Sequence, residues 1–289
     1  MQTMPLDAER RLRLFDLLPE GMPVSKSWLM RQDPDLDRHA IDNLLKSRQL
    51  EPIAQAVYTR PGSRVNWESA VTSLQNVFRL DLVPGGLTAL EQHGFAHYLP
   101  ISRRRRVHLY GKDTIPKWLV KSLPDIEFMR HTPLPGLGAT GLVNLEYDTL
   151  ERTLSKPEAP GQRKRAWPFT LSSSERAYLE VIQDVPGMIS FEHADQLLQG
   201  MTTLSPRVME RLLVKCKHVK VRRLFYWMAE RRPYPWFKKL PPVGMLDELG
   251  LGSGNRMLVK GGKLDTKYMI TVPEDMWTLP APTTDKSDF

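Results

Sequence analysis

A single cysteine, Cys216, stands among 289 residues. No disulfide can close within the chain, and a reducing cytoplasm is the expected setting. Its neighbours Leu212, Leu213 and Val214 mark it as a core thiol rather than a nucleophile. No apolar stretch approaches the roughly 20 residues that a membrane-spanning helix needs. Residues 1–13 are charged and hold no apolar signal segment, so no membrane partner is expected. No serine occupies a Gly-x-Ser-x-Gly elbow, and no His/Asp pair can be tied to one, which argues against covalent hydrolysis. The run Gly250-Leu251-Gly252-Ser253-Gly254 lacks the strand before and the helix after that a phosphate loop requires, so it reads as a turn. His93 and His97 have helical zinc spacing, but Gly94 weakens that helix and stands where a hydrolytic glutamate is needed. No catalytic residue, metal or cofactor is therefore expected. No internal repeat is present either.

What the chain does have is order at its N-terminal end. Residues 8–18 carry Leu14, Leu17 and Leu18 on one helical face and arginines on the other. Gly21 closes that helix. Ser25 is placed to cap a second helix through Gln32, with Trp28 and Leu29 inward. Asp33-Pro34-Asp35 makes a turn, and Asp37 can cap a third helix reaching about Ser47. Short strands at 50–53 and 57–59 surround Ala54-Gln55-Ala56, and Pro61-Gly62 ends the unit. Three helices followed by a tight hairpin are the outline of a winged helix-turn-helix, which sets one helix in a DNA major groove.

Along the third helix, Ile41, Leu44 and Leu45 share one face. His39, Asn43 and Lys46 fall opposite, with Arg38 and Asp42 at the edges. Asparagine can reach adenine and lysine guanine. Ser25, Lys26 and Ser27 are candidates to hold phosphate.

Charge supports this only in part. The formal net charge is +8 and the pI near 9.5, suiting an acidic partner such as double-stranded DNA. Yet residues 1–62 hold nine Lys/Arg and nine Asp/Glu. Because phosphate neutralisation supplies much of DNA affinity, the later regions or a second copy must help.

Those regions read as two further domains. Residues 63–155 form a mixed α+β region, with helices at 67–80 and 85–93 and strands at 107–110, 127–129 and 142–147. A Pro/Gly/basic linker covers 155–165. Residues 160–289 read as mainly helical, ending in a hairpin. Ser172-Ser173-Ser174-Glu175 looks like a capping box, helices follow at 191–199 and 222–230, and Ser205-Pro206 starts another. The terminal hairpin is expected to pair 257–259 with 268–272 around Gly261-Gly262. The fold class is thus α+β: a winged helix-turn-helix at 1–62, a middle region and a helical C-terminal domain.

Several segments leave other chemistry open. Arg103-Arg104-Arg105-Arg106 precedes a strand and reads as a solvated run or a phosphate site. Lys215, Lys217, Lys220, Arg222 and Arg223 surround Val219, Val221, Leu224 and Phe225. They form a candidate second basic surface or a half-buried helix junction. Asp125, Glu127, Glu146 and Asp148 would make a metal-nuclease or nucleotidyltransferase cluster if strands joined them, although no lysine stands among them. The rings of Phe225, Tyr226, Trp227, Tyr234, Trp236 and Phe237 read as core before effector pocket. Such a pocket would belong to a transcription regulator without a toxin partner.

The order of Val57-Tyr58-Thr59, Leu87-Thr88-Ala89-Leu90 with Gly94, and Ile115-Pro116-Lys117-Trp118-Leu119 resembles the AbiE-type antitoxins. So do Ser174-Glu175-Arg176-Ala177, residues 206–216, Val219-Lys220-Val221-Arg222-Arg223-Leu224-Phe225, Gly252-Ser253-Gly254-Asn255-Arg256 and Lys267-Tyr268-Met269-Ile270-Thr271-Val272-Pro273. The likeness spans about residues 10 to 275. It implies a transcriptional autoregulator of a type IV toxin–antitoxin, abortive-infection operon. It implies DNA binding at promoter inverted repeats through the winged helix. It also implies that the C-terminal domain opposes a nucleotidyltransferase-like toxin without a stable complex. One departure matters. The family's hairpin commonly bears a basic residue and glycine at its turn, where Ala54-Gln55-Ala56 stands here. Arg60 and Arg64, past the second strand, are the candidate substitutes.

Overall fold

The computed structural model describes residues 18–95, 104–146, 167–242 and 252–277. The expected first helix lies outside them apart from Leu18, as do the linker at 155–165, Arg103, His97, Gly250, Leu251 and Asp148. The chain is mixed α+β, and its contacts gather into two units that interleave along the sequence. One comprises residues 1–84, 101–132 and 143–171; the other holds 85–100, 133–142 and 172–289.

In the first unit, β1 (Val24–Ser25) runs into α1 (Lys26–Gln32), and α2 (Arg38–Lys46) follows. Strands β2 (Glu51–Ala54) and β3 (Val57–Thr59) form the hairpin, and β3 lies between β1 and β2 in an antiparallel sheet. The two-residue β1 was not legible in the sequence. Local chemistry sets the helix starts: Ser25 Oγ accepts from the Trp28 amide at 3.1 Å, and Asp37 Oδ1 from the Ala40 amide at 2.7 Å. Leu29, Ile41 and Leu44 are wholly buried with Leu18, Met22 and Trp28 in one apolar cluster. Burying side chains of this kind stabilises by about 1.5–3 kcal/mol each. Trp167 packs on that cluster, its ring 6.0 Å from Trp28.

Asn66 caps α3 (Trp67–Asn76) in a reciprocal capping box with Ser69. The helix stops four residues short of the expected end, and Arg79 beyond it has φ +58°. A second sheet follows with β4 (Val83–Pro84), β5 (Arg105–Tyr110) and β6 (Ile126–His131). Here β5 is antiparallel to β4 and parallel to β6. The crossover between β5 and β6 contains α5 (Lys117–Ser122), started by Pro116; α4 belongs to the other unit. Strand β7 (Leu142–Glu146) pairs with β8 (Pro168–Ser172). Gln75 holds β8 by accepting from the Thr170 amide at 2.9 Å and donating to the Thr170 carbonyl at 2.8 Å.

The second unit is mainly helical: α4 (Gly86–Gln92), α6 (Ser174–Gln183), α7 (Phe191–Gly200), α8 (Pro206–Lys215) and α9 (Val219–Glu230). Its central helix, α6, packs against the other four. Glu180 on α6 is wholly buried. Its carboxylate accepts from Arg176 Nε at 2.8 Å, Ser172 Oγ at 3.0 Å and the Gly86 amide at 3.0 Å. Arg176 also donates to the Gly138 and Thr140 carbonyls at 2.7 and 2.9 Å. This network ties α4, α6 and the 133–142 segment together. Gly136, at φ +89°, must be glycine, since a Cβ there would meet the Lys215 carbonyl oxygen at 2.0 Å.

Two expectations for this unit need correction. Ser173, not Ser172, caps α6, so Glu175 falls at the second helical position rather than the third. Its carboxylate instead accepts from the Ser205 amide at 2.8 Å, at the start of α8. The terminal hairpin pairs β9 (Lys263–Asp265) with β10 (Ile270–Val272), so its turn lies at 266–269 and not at Gly261-Gly262. Residues 257–259 form no strand. The Leu258 and Val259 amides donate to the Thr271 hydroxyl at 2.8 and 3.1 Å, a side-chain tether in place of a ladder.

Candidate nucleic-acid interface

The α2 surface divides as the helical period predicts. Ile41 and Leu44 are buried, His39, Lys46 and Arg38 are exposed, and Asn43 is half-buried. Asp42, also exposed, reaches across to α1. Its Oδ1 lies 3.5 Å from Lys26 Nζ, with the two side chains 51 % and 23 % exposed. Lys26, a candidate for phosphate, therefore already shares its charge with an acid on the neighbouring helix, a link the sequence did not reveal. Ser25 Oγ serves as the α1 cap and lies 3.1 Å from Ser27 Oγ; Ser27 is exposed.

The hairpin tip is tied to the same place. The Lys26 amide donates to the Ala56 carbonyl at 3.0 Å. Ala56 itself has φ +57°, an uncommon conformation for a residue with a Cβ. Gln55 and Ala56 are exposed and Ala54 half-buried, so the tip is accessible and uncharged. Arg60 is half-buried and Arg64 exposed just past β3. Position 64 is held closely: at Gly21, whose φ is +69°, a Cβ would stand 2.7 Å from the Arg64 carbonyl oxygen. In the same unit α5 lies against β2. Sequence reasoning passed over this helix, although Pro116 before Trp118 and Leu119 is a start signal.

The second basic surface comes apart. Lys215 and Lys217 are exposed, with Lys215 Nζ 3.0 Å from Thr140 Oγ1. Lys220 is half-buried and donates to the Gln183 and Val185 carbonyls at 2.5 and 2.7 Å, closing the end of α6. Burial also lowers its pKa. Arg222 and Arg223 are buried, so neither is a surface residue. The Arg223 guanidinium donates to the carbonyls of Gly252, Gly254 and Met269 at 2.7, 2.7 and 3.0 Å. It thereby holds the glycine turn beside β10. The physical reason is α9 itself, buried around most of its circumference from Val221 to Ala229.

Asp125 is exposed, and Glu127 pairs with Arg106 at 2.9 Å. The Glu146 side chain lies outside the described residues, as does Asp148. Among the described residues no three His, Cys, Asp or Glu are grouped to hold a metal. His93 Nε2 lies 2.8 Å from the Ser172 carbonyl. The aromatic group packs on itself: Phe225 and Trp236 are 6.2 Å apart, Tyr234 and Trp236 5.4 Å, Tyr226 and Phe237 5.9 Å. Cys216 is buried, and burial pushes its thiol pKa up. No described helix is long and apolar enough to cross a membrane.

Comparison with known families decides the kinship. Residues 104–273 match the family described as "Transcriptional regulator, AbiEi antitoxin, Type IV TA system". Residues 9–101 match its companion, "Transcriptional regulator, AbiEi antitoxin N-terminal domain". The chain belongs to the AbiEi antitoxin family. The two AbiEi matches meet between residues 101 and 104, so together they cover nearly the whole chain. No curated protein matches it. Among solved structures, "Crystal structure of RV2827C protein from Mycobacterium tuberculosis" is similar at 15 % identity and a TM-score of 0.48. That alignment covers 93 % of this chain and 92 % of that one.

Proposed function

We propose that this AbiEi protein is a cytoplasmic, non-enzymatic DNA-binding autoregulator and antitoxin. In this reading the segment up to residue 62 is a winged helix-turn-helix, and α2 is its recognition helix in the major groove of promoter inverted repeats. The observation that carries it is the polar edge His39, Asn43, Lys46, set opposite buried Ile41 and Leu44 and beside a hairpin pinned to α1. Side chains on such an edge can reach base edges, while Arg38, Ser25, Lys26, Ser27, Arg60 and Arg64 serve the backbone. Residues of about 160–289 counteract a nucleotidyltransferase-like toxin, functionally rather than in a stable complex; of the basic group there, Lys215 and Lys217 remain accessible. The site needs no cofactor and no metal.

The test is a mobility-shift titration of the full chain against its own upstream promoter and a scrambled duplex, at two salt concentrations. Promoter-selective binding that salt weakens is expected. Replacing His39, Asn43 and Lys46 together by alanine is expected to abolish selectivity. Each change should alter stability by no more than about 0.5 kcal/mol. Equal binding to both duplexes, or none, overturns the reading. Rescue of growth when this chain is co-expressed with the toxin encoded alongside tests the antitoxin half.

A further inference from the structure

The positive charge that a DNA reader needs is not in the reader. Residues 1–62 are balanced, nine against nine, whereas residues 104–132 carry seven Lys/Arg against three Asp/Glu. That segment belongs to the same unit, and its helix α5 lies against β2 of the hairpin. Buried Leu119 anchors α5, as does the Trp118 ring 5.3 Å from Phe78. Lys117 and Lys121 are left exposed on one face, four residues apart. Neither enters an ion pair among the described residues. The hairpin tip, Gln55-Ala56, has no charge to offer, and β2 itself brings only the acid Glu51.

We propose that α5 is a phosphate clamp flanking the hairpin: Lys117 and Lys121 grip the backbone of the duplex that α2 reads. The proposal rests on the DNA-binding reading above and names the residues that supply its missing affinity. The occupant follows from charge complementarity and spacing. Two lysines one helical turn apart sit about 6 Å from each other along the axis, close enough to engage neighbouring phosphates of one strand. Such contacts position without specifying sequence. Their removal must therefore weaken all duplexes alike, unlike the loss of α2 side chains.

The experiment uses the full chain, a duplex of its own upstream promoter and a scrambled duplex, titrated at several salt concentrations. For Lys117→Ala/Lys121→Ala, the slope of log affinity against log salt should fall by about 2, and low-salt affinity roughly tenfold, on both duplexes. The promoter-to-scrambled ratio should stay unchanged. Lys238→Ala/Lys239→Ala removes the same charge from an exposed pair in the other unit and should leave the slope unaltered. An unchanged slope for the α5 variant, while the parent chain binds its promoter selectively, overturns the clamp and spares the reading. So does an equal fall in the Lys238/Lys239 variant, or a loss of selectivity in place of uniform weakening. A parent chain that binds neither duplex overturns the reading, and the clamp with it.

Discussion

Two runs of adjacent arginines in this chain have opposite fates. Arg105 and Arg106 open β5 at an exposed position, where Arg106 pairs with Glu127 and Arg105 lies over the Trp67 ring at 5.2 Å. Arg222 and Arg223 sit inside α9, and Arg223 has no exposure at all. The difference lies in what flanks them. Arg104-Arg105-Arg106 follow Ser102-Arg103, and the buried apolar stretch begins only at Val107, so the run can stay in water. In α9, apolar residues recur on every side of the arginines, and the helix is buried whatever its charges prefer. A guanidinium trapped there must exchange water for fixed acceptors, and three backbone carbonyls provide them. Charge in a sequence therefore marks a surface only when its neighbours allow it one.

Truncating the buried member should separate the two runs most sharply. Arg223→Met removes three hydrogen bonds and leaves the Gly252, Gly254 and Met269 carbonyls without that donor. The expected loss is about 3 kcal/mol or more, read from the urea midpoint. Arg106→Ala breaks an exposed pair and should cost no more than about 0.5 kcal/mol. Equal losses from the two would erase the distinction.

Glu180 extends the comparison to a buried carboxylate. Glu180→Gln should destabilise by about 2 kcal/mol, since it disrupts the contact with buried Arg176. Burial raises the Glu180 pKa above its usual 4.5, against the pull of Arg176. The folded state thus binds the proton more tightly than the unfolded one. The stability this group contributes is full below pH 4.5 and is lost as pH rises through the raised value. The margin of the parent chain over Glu180→Gln should accordingly be wider at pH 5 than at pH 8 in paired denaturation curves. A margin that widens with pH would mean the ion pair outweighs burial.

The smallest effect concerns Cys216. With its thiol buried and its pKa raised, it should react with a disulfide reagent only as fast as the second unit opens. Immediate modification of the native chain would place it on a surface.

How much of this was legible depended on range. The starts of α1, α2 and α8 are legible from Ser25, Asp37 and Ser205, because an N-cap bonds an amide only two or three residues away. The hairpin strand at 57–59 and the polar edge of α2 were legible for the same reason, since one or two turns of periodicity define them. Strands β1, β4 and β8 were missed. Each is specified by a partner distant in sequence, as Val24 is by Tyr58 and Val83 by Tyr110, and no local pattern announces it. Glu175 was misread because a carboxylate near a helix start satisfies the capping pattern, while its amide partner at Ser205 lies thirty residues on. The terminal hairpin was misplaced because Gly261-Gly262 looks like a turn, whereas Asp265 Oδ1 closes the turn in use by accepting from the Tyr268 amide at 3.0 Å.

The sequence by itself determined the starts of α1, α2 and α8 with their caps, the apolar and polar faces of α2 and the kinship carried by the motifs. These depend on interactions within about four residues. Only the tertiary structure decided which cations meet solvent, that Lys26 is paired with Asp42, that Arg222 and Arg223 are inside, and that α5 lies beside the hairpin. Desolvation depends on every element packed around a residue, and the sequence order of those elements does not state which will be neighbours.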